Sequence, residues 1–350
     1  MEEKPSDQLE LSAGWGGRGR GVIGTLGVAF NNFSARNIFN KESWSPLPQG
    51  DGQRLSLRAQ TNGRFYQSYN MSFTEPWLGG KKPNSLTVAG FVSILTNGQD
   101  RQSDGYGRLR NAGVTISLGT RLKFPDDNFV YSAALNLQNI SLKNYFGATI
   151  FRTPEGVTVS EGNFNNFSIT QTIARTTINN PIFPQEGSRV SLSVQLTPPY
   201  HLFTGRDEAN IEDPAERFRW LEYHKWKIDA EWYQTLVGKL TLKAAAKFGF
   251  LGAYDTEIGV SPFERFQIGG DGINSSQFSY FTGTELVSLR GYSPNEIENN
   301  LLNPNSNQLN ATPLMQKITL ELRYPLSLNP SSTIYALTFL QGGNAWKRSG

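Results

Sequence analysis

The feature that most restricts how this chain can fold is alternation of apolar and polar residues with period two. It runs in segments of about ten residues separated by turn chemistry. Val114, Ile116, Leu118, Leu122 and Phe124 share one face of such a segment, against Thr115, Ser117, Gly119, Arg121 and Lys123 on the other. Leu86, Val88, Val92 and Ile94 oppose Ser85, Thr87, Ala89 and Ser93 in the same way, and Val190, Leu192, Val194 and Leu196 oppose Arg189, Ser191, Ser193 and Gln195. Phe129, Tyr131, Ala133, Leu135 and Leu137 oppose Ser132, Asn136 and Gln138. Successive side chains of a strand point to opposite faces, so this period predicts an all-β chain.

Two all-β architectures share that period, and segment length separates them. Sandwich strands run nearer 5 or 6 residues, whereas about ten residues match a tilted strand crossing a bilayer. Small polar residues and glycines opposite the apolar face suit a crowded, wet lumen. Aromatic residues gather near strand ends, as at interfacial girdles: Trp15, Phe30, Phe33, Phe73, Trp77, Phe124, Tyr145, Trp220, Trp226, Trp232, Tyr324 and Trp346. The expectation is an antiparallel transmembrane β-barrel of about thirteen strands, an odd number where single-chain bacterial barrels use an even one. The chain is therefore expected to stop short of closure.

Connections are numbered from a first strand near Leu9 to Trp15. The even ones are mostly short, at Asp126-Asp127-Asn128, Leu236 to Lys239 and Ser327 to Ser331, which places the start of the first strand on the periplasmic side. Ala35 to Gly52 and Glu75 to Asn84 depart from that rule by their length. The longest connection, about Gly252 to Pro313, far exceeds the roughly 15 residues at which a loop is expected to carry function, and is placed outside or folded into the lumen.

Composition narrows the function classes. The 350 residues carry a net charge of +3 with basic residues scattered, which argues against nucleic acid. No cysteine is present, so disulfides, thiolate metal sites and cysteine nucleophiles are excluded. No apolar run reaches the roughly 18 residues that a membrane helix needs. Met1-Glu2-Glu3-Lys4-Pro5 has no signal-peptide pattern, and an internal fragment of a longer precursor is expected. Gly14-Trp15-Gly16-Gly17-Arg18-Gly19 matches the dinucleotide fingerprint, but a strand follows it instead of a helix, so a hairpin turn is expected. His201 and His224, the only histidines, have no carboxylate at ligand spacing beside them, and no nucleophile and base arrangement stands out. Neither a metal, a cofactor nor an enzymatic activity is expected.

Three segments carry a family resemblance: Ser72-Phe73-Thr74-Glu75-Pro76-Trp77-Leu78, Phe266-Gln267-Ile268-Gly269-Gly270 and Leu289-Arg290-Gly291-Tyr292. Together they resemble the BamA family of outer-membrane assembly proteins, over nearly the whole chain. The resemblance implies that this is about 13 of some 16 barrel strands. The last strands and the N-terminal POTRA domains would then lie outside the chain. It implies a long loop folded into the lumen, with Phe266, Gly269 and Gly270 at its entry and Arg290 paired to acids on the inner wall. Ile318, Leu320, Leu322 and Tyr324 form one face of the following strand, which turns Lys317, Thr319, Glu321 and Arg323 inward and makes Glu321 the expected partner of Arg290. The family places a second acid where this chain has Gln341, in Phe339-Leu340-Gln341-Gly342-Gly343.

The function so implied is folding and insertion of β-barrel proteins into the outer membrane through a lateral seam. Leu9, Leu11, Ala13 and Trp15 lie on the expected gate strand. Its partners would be unfolded barrel clients, accessory assembly lipoproteins and outer-membrane lipid, with no nucleic acid. A TamA-like or two-partner secretion transporter of the same superfamily is the first alternative. A passive porin or adhesin is the second.

Overall fold

Alternation and strand pairing agree throughout the computed structural model, which describes residues 7–15, 22–44, 47–144, 159, 161–204, 211–255, 257–270, 282–293, 312–329 and 332–346. The strands in chain order are β1 (Gln8–Trp15), β2 (Val22–Phe33), β3 (Gln53–Asn62), β4 (Tyr66–Glu75), β5 (Ser85–Thr96), β6 (Arg108–Arg121), β7 (Phe129–Lys143) and β8 (Gly162–Thr176). They continue as β9 (Gly187–Leu196), β10 (His224–Val237), β11 (Leu240–Gly252), β12 (Phe266–Ile268), β13 (Glu285–Val287), β14 (Leu314–Asn329) and β15 (Ser332–Trp346). Thirteen of them form one antiparallel sheet in sequence order, β1 to β11 followed by β14 and β15, and among the described residues no ladder joins the two ends. The remaining two, β12 and β13, pair in parallel inside the longest connection.

The faces are inverted relative to a soluble sandwich. On β14, Ile318, Leu320, Leu322 and Tyr324 are 38 to 50% exposed while Lys317 and Thr319 are 8% and 6% exposed. A sheet in water buries its apolar face, whereas one in lipid turns it outward. Register makes the inversion continuous: Val114 stands against Leu137 and Ile116 against Leu135 outside, and Gly113 against Gln138 and Thr115 against Asn136 inside.

The inward polar groups satisfy one another across strands. Ser68 and Ser93 hydroxyls meet at 3.0 Å, Gln138 donates to Asn111 at 2.9 Å, and the Tyr223 hydroxyl donates to Asn166 at 3.0 Å while accepting from Gln195 at 2.7 Å. Buried polar side chains are costly unless so bonded, and here they form a ladder along the inner wall.

Several expectations change in detail. Leu122 and Phe124 lie beyond β6, which ends at Arg121; the Leu122 N–H still donates to the Phe129 carbonyl at 2.8 Å, and Pro125, with no N–H, cannot carry the pairing further. The expected Ser327–Ser331 turn is shorter, since β14 runs to Asn329; Ser331 lies outside the described residues, as do Tyr145 and residues 16–19 of the expected first hairpin. Phe33 is not an interface aromatic: it is 7% exposed and meets Phe73 edge-on at 6.2 Å.

The two overlong even connections have a structural reason. Between β2 and β3 the chain makes two 3-10 turns, tied by the Ser34 hydroxyl to Asp51 at 2.6 Å and by the Ala35 N–H to Gln53 at 2.7 Å. After β4, the Leu78 N–H donates to the Asn84 carbonyl at 2.8 Å, and Gly79 and Gly80 adopt φ of 81° and 71°. Both are folded caps, closed by their own hydrogen bonds.

Candidate functional site

The interior of the sheet is occupied by part of the 253–313 connection. Phe266, Gln267 and Ile268 are 0%, 7% and 1% exposed, and two wall glycines with one turn glycine explain how a loop fits so closely. A Cβ on Gly249 of β11 would lie 2.6 Å from the Phe266 ring. One on Gly343 of β15 would lie 2.9 Å from Ile268 Cδ1 and 3.0 Å from the Gln316 carbonyl oxygen. Gly270, at φ 69°, then turns the chain through the left-handed region that other residues avoid.

This turn joins the two loop segments singled out in the sequence. The Gly270 N–H donates to the Tyr292 carbonyl at 2.7 Å and its carbonyl accepts from the Leu289 N–H at 3.1 Å. The Gly269 N–H donates to Val287 at 2.9 Å, extending the β12–β13 pair. Gly291 sits at φ 89°, so the tetrapeptide Leu289-Arg290-Gly291-Tyr292 is a tight turn whose apolar member, Leu289, is 2% exposed. On the wall side, the Thr312 N–H and carbonyl exchange bonds with Phe266 at 2.7 and 2.8 Å.

Arg290 does not pair with Glu321. Its backbone N–H donates to Gln341 Oε1 at 3.2 Å, and its guanidinium lies 4.6 Å from the centre of the Phe339 ring. Glu321 accepts instead from Arg323 Nε at 2.8 Å, both side chains being mostly buried. The reason is proximity: residues two apart on one strand share a face about 7 Å apart, so Arg323 neutralises Glu321 before a loop cation reaches it. Gln341, where the resemblance leads one to expect an acid, accepts from the loop backbone, a bond that needs no charge.

The ionic anchor of the loop lies on β10, where sequence reasoning did not look. Lys225 is 3% exposed, its Nζ 3.0 Å from Glu264 and 3.8 Å from Glu285, and it also stands 4.9 Å over the Phe266 ring. Lys227, two residues along the same inner face, meets Glu285 at 3.1 Å. Gly283 leaves room for the Glu264 carboxylate, which a Cβ there would approach to 2.5 Å. Lys317 of β14 adds a 3.3 Å bond to Ser288. The available signal was the Lys225-Trp226-Lys227 pattern, which places two cations inward around an outward tryptophan. Arg265 is held inside the loop by the Ser261 carbonyl at 2.8 Å and the Val260 carbonyl at 3.1 Å; burial pushes its guanidinium down to about 10, still charged at neutral pH.

The expected gate residues lie on the free edge. All eight residues of β1 are exposed, Leu9, Leu11 and Trp15 by 72%, 76% and 73%. They stand opposite Val28, Leu26 and Val22 of β2, with Ala13 opposite Gly24, and among the described residues no strand pairs with the other side of β1. His201 and His224 belong elsewhere: His201 Nδ1 is 2.5 Å from Glu222, a carboxylate 21 residues away, and His224 stacks near Phe250 and Tyr254. Among the described residues no group of three metal-ligating side chains occurs.

The family model for the Omp85 superfamily domain matches residues 49–350. No curated protein matches the chain. Among solved structures it is similar to BamA from Haemophilus ducreyi lacking POTRA domains 1-3, with TM-score 0.63 and 18% identity over 99% of this chain and 59% of that one. It is similar also to CdiB from Escherichia coli, with TM-score 0.49 and 13% identity over 98% of this chain and 52% of that one. The chain thus spans under two thirds of the length of these structures, and at such identities the likeness is one of fold.

Proposed function

This chain belongs to the Omp85 superfamily, and from that premise we propose that it is the barrel of a BamA-like outer-membrane assembly factor, inserting β-barrel clients through a seam at β1. The observation that carries the reading is the occupied interior: the lumen beside β10, β11, β14 and β15 is filled by a loop held through Lys225, Lys227 and two wall glycines. An edge offers backbone donors and acceptors for a client strand by β-augmentation; a filled lumen offers a client no passage.

Unpaired peptide groups cost several kcal/mol each in hydrocarbon, so each edge of this sheet has to meet a further strand there. In this reading the resting partner is supplied by closing strands of the same protein, and a client strand displaces it. POTRA domains and accessory lipoproteins deliver the client. The work is done by backbone pairing and needs neither catalytic residue nor cofactor.

The test is site-specific photocrosslinking in cells carrying the full-length protein and a client stalled during insertion. A photoreactive residue at Leu11 is expected to capture the client, and one at Thr115 or Asn136 in the lumen is expected to capture none. Capture from the lumen with none from β1 would overturn the assembly reading in favour of a transporter that threads its substrate through the interior.

A further inference from the structure

The outward face of β2 to β8 carries a trough of about 950 Å³, lined by Leu57, Tyr69, Met71, Val92, Val114 and Leu137. Gly90 and Ala112 lie in its lining where longer side chains would fill it. Such a concavity on a lipid-facing wall is solvated by hydrocarbon.

What borders it decides which lipid fits. One step along the same face, Gln67, Ile94 and Arg110 stand side by side in register, next to the Tyr69, Val92 and Ala112 row of the trough. Two residues apart on a strand is about 7 Å, so the rows adjoin. Gln67 and Ile94 also line a second cavity of about 250 Å³ with Arg64, Thr96, Asp100 and Arg101. A further step on, Arg108 and Lys143 face each other in register. Arg108 Nε is buried without a hydrogen-bond partner, and Arg64, Arg101, Arg108, Arg110 and Lys143 form no ion pair among the described residues. Asp100 offsets part of this charge, and the cations outnumber it.

We propose that this wall holds one lipid with a phosphate-bearing, net anionic headgroup, its acyl chain along the trough and its phosphate among these arginines. Guanidinium groups without carboxylate partners bind phosphate oxygens through charge-assisted, often bidentate, hydrogen bonds. An acyl chain laid in the trough brings the headgroup to the basic cavity, because the two share the Tyr69–Gln67 and Val92–Ile94 segments. The inference rests on the membrane-spanning reading and is independent of how clients enter.

Native mass spectrometry of the purified full-length protein, released from detergent containing either phosphatidylglycerol or phosphatidylcholine, tests it. One phosphatidylglycerol is expected to be retained about tenfold better than phosphatidylcholine. The Arg108→Ser, Arg110→Ser, Lys143→Ser variant is expected to bring phosphatidylglycerol down to the phosphatidylcholine level. Gly90→Leu, which fills the trough and leaves the cations in place, is expected to reduce retention of both lipids, and Arg121→Ser at the far end of β6 to change neither. Equal retention of the two lipids by the unaltered protein, or retention of phosphatidylglycerol unchanged by both the cation and the Gly90→Leu variants, would overturn the proposal. Client crosslinking at Leu11 is read separately, so either result leaves the other open to test.

Discussion

At the scale of single residues, the loop anchor is concentrated on one lysine. Lys225 is 3% exposed and faces two carboxylates, so Lys225→Ala leaves Glu264 and Glu285 with less compensation inside the sheet. Breaking a buried pair by removing one partner costs roughly 3–5 kcal/mol. The expected outcome is release of the loop, read as protease cleavage within residues 253–313 at concentrations that leave the unaltered chain intact. Arg290 is a contrasting case. Its exposed cation–π contact is worth about 0.5–1 kcal/mol, whereas Glu321→Ala strands the mostly buried Arg323. Glu321→Ala should therefore lower the thermal midpoint more than Arg290→Ala, and the reverse order would restore Arg290 as an anchor. Asp126, in the turn after β6, offers a pH handle. Its hydrogen bond from Arg175 at 2.9 Å, with that from the Asn128 N–H at 2.8 Å, holds the carboxyl below its ordinary value of 3.8. A lowered folded-state value means that the contribution is complete above pH 3.8 and is lost as pH falls through the lower folded value. An NMR titration of the Asp126 carboxyl should place its midpoint below that of Asp126 in the Arg175→Ser variant.

At the scale of elements, two pieces of backbone differ from the rest. In an edge strand alternate N–H groups bond to the neighbour and the others face outward. Hydrogen exchange of this chain should therefore show β1 as a strand of two classes, half its amides protected by β2 and half exchanging fast, while β6 and β7, paired on both sides, are protected throughout. Uniform protection along β1 in this chain would mean that a further strand, such as one from a second copy, pairs with its outer side. The long connection is the second piece. It behaves as an internal element: β12 pairs with β13, bridges to Thr312 and seats against Gly249 and Gly343. Wall glycines and loop apolar residues thus act as one packing unit, though they come from four separate stretches of chain.

At the scale of the molecule, the sheet has an apolar outside and a hydrogen-bonded polar inside, and this inversion is itself testable. Ile116→Arg on the outward face should cost roughly 2–4 kcal/mol of folding free energy in vesicles, the figure for an arginine near the bilayer midplane, and Thr115→Arg on the inward face should cost much less. Equal costs would mean that the outer face does not meet lipid. The sequence by itself determined the strands of the large sheet, about thirteen of them, their two faces and the site of the long connection, because a period of two is a local property of extended backbone; the short β12 and β13 left no such trace. Resemblance to a known family, and no local period, drew attention to Phe266, Gly269, Gly270 and the Leu289 to Tyr292 segment. Only the tertiary structure decided that these two segments bond to each other, that Arg323 claims Glu321 while Arg290 turns to Phe339 and Gln341, and that Lys225 and Lys227 hold the loop. Those choices depend on which charges meet across the lumen, a matter of strand register and loop closure between residues far apart in the chain, and no local period encodes it.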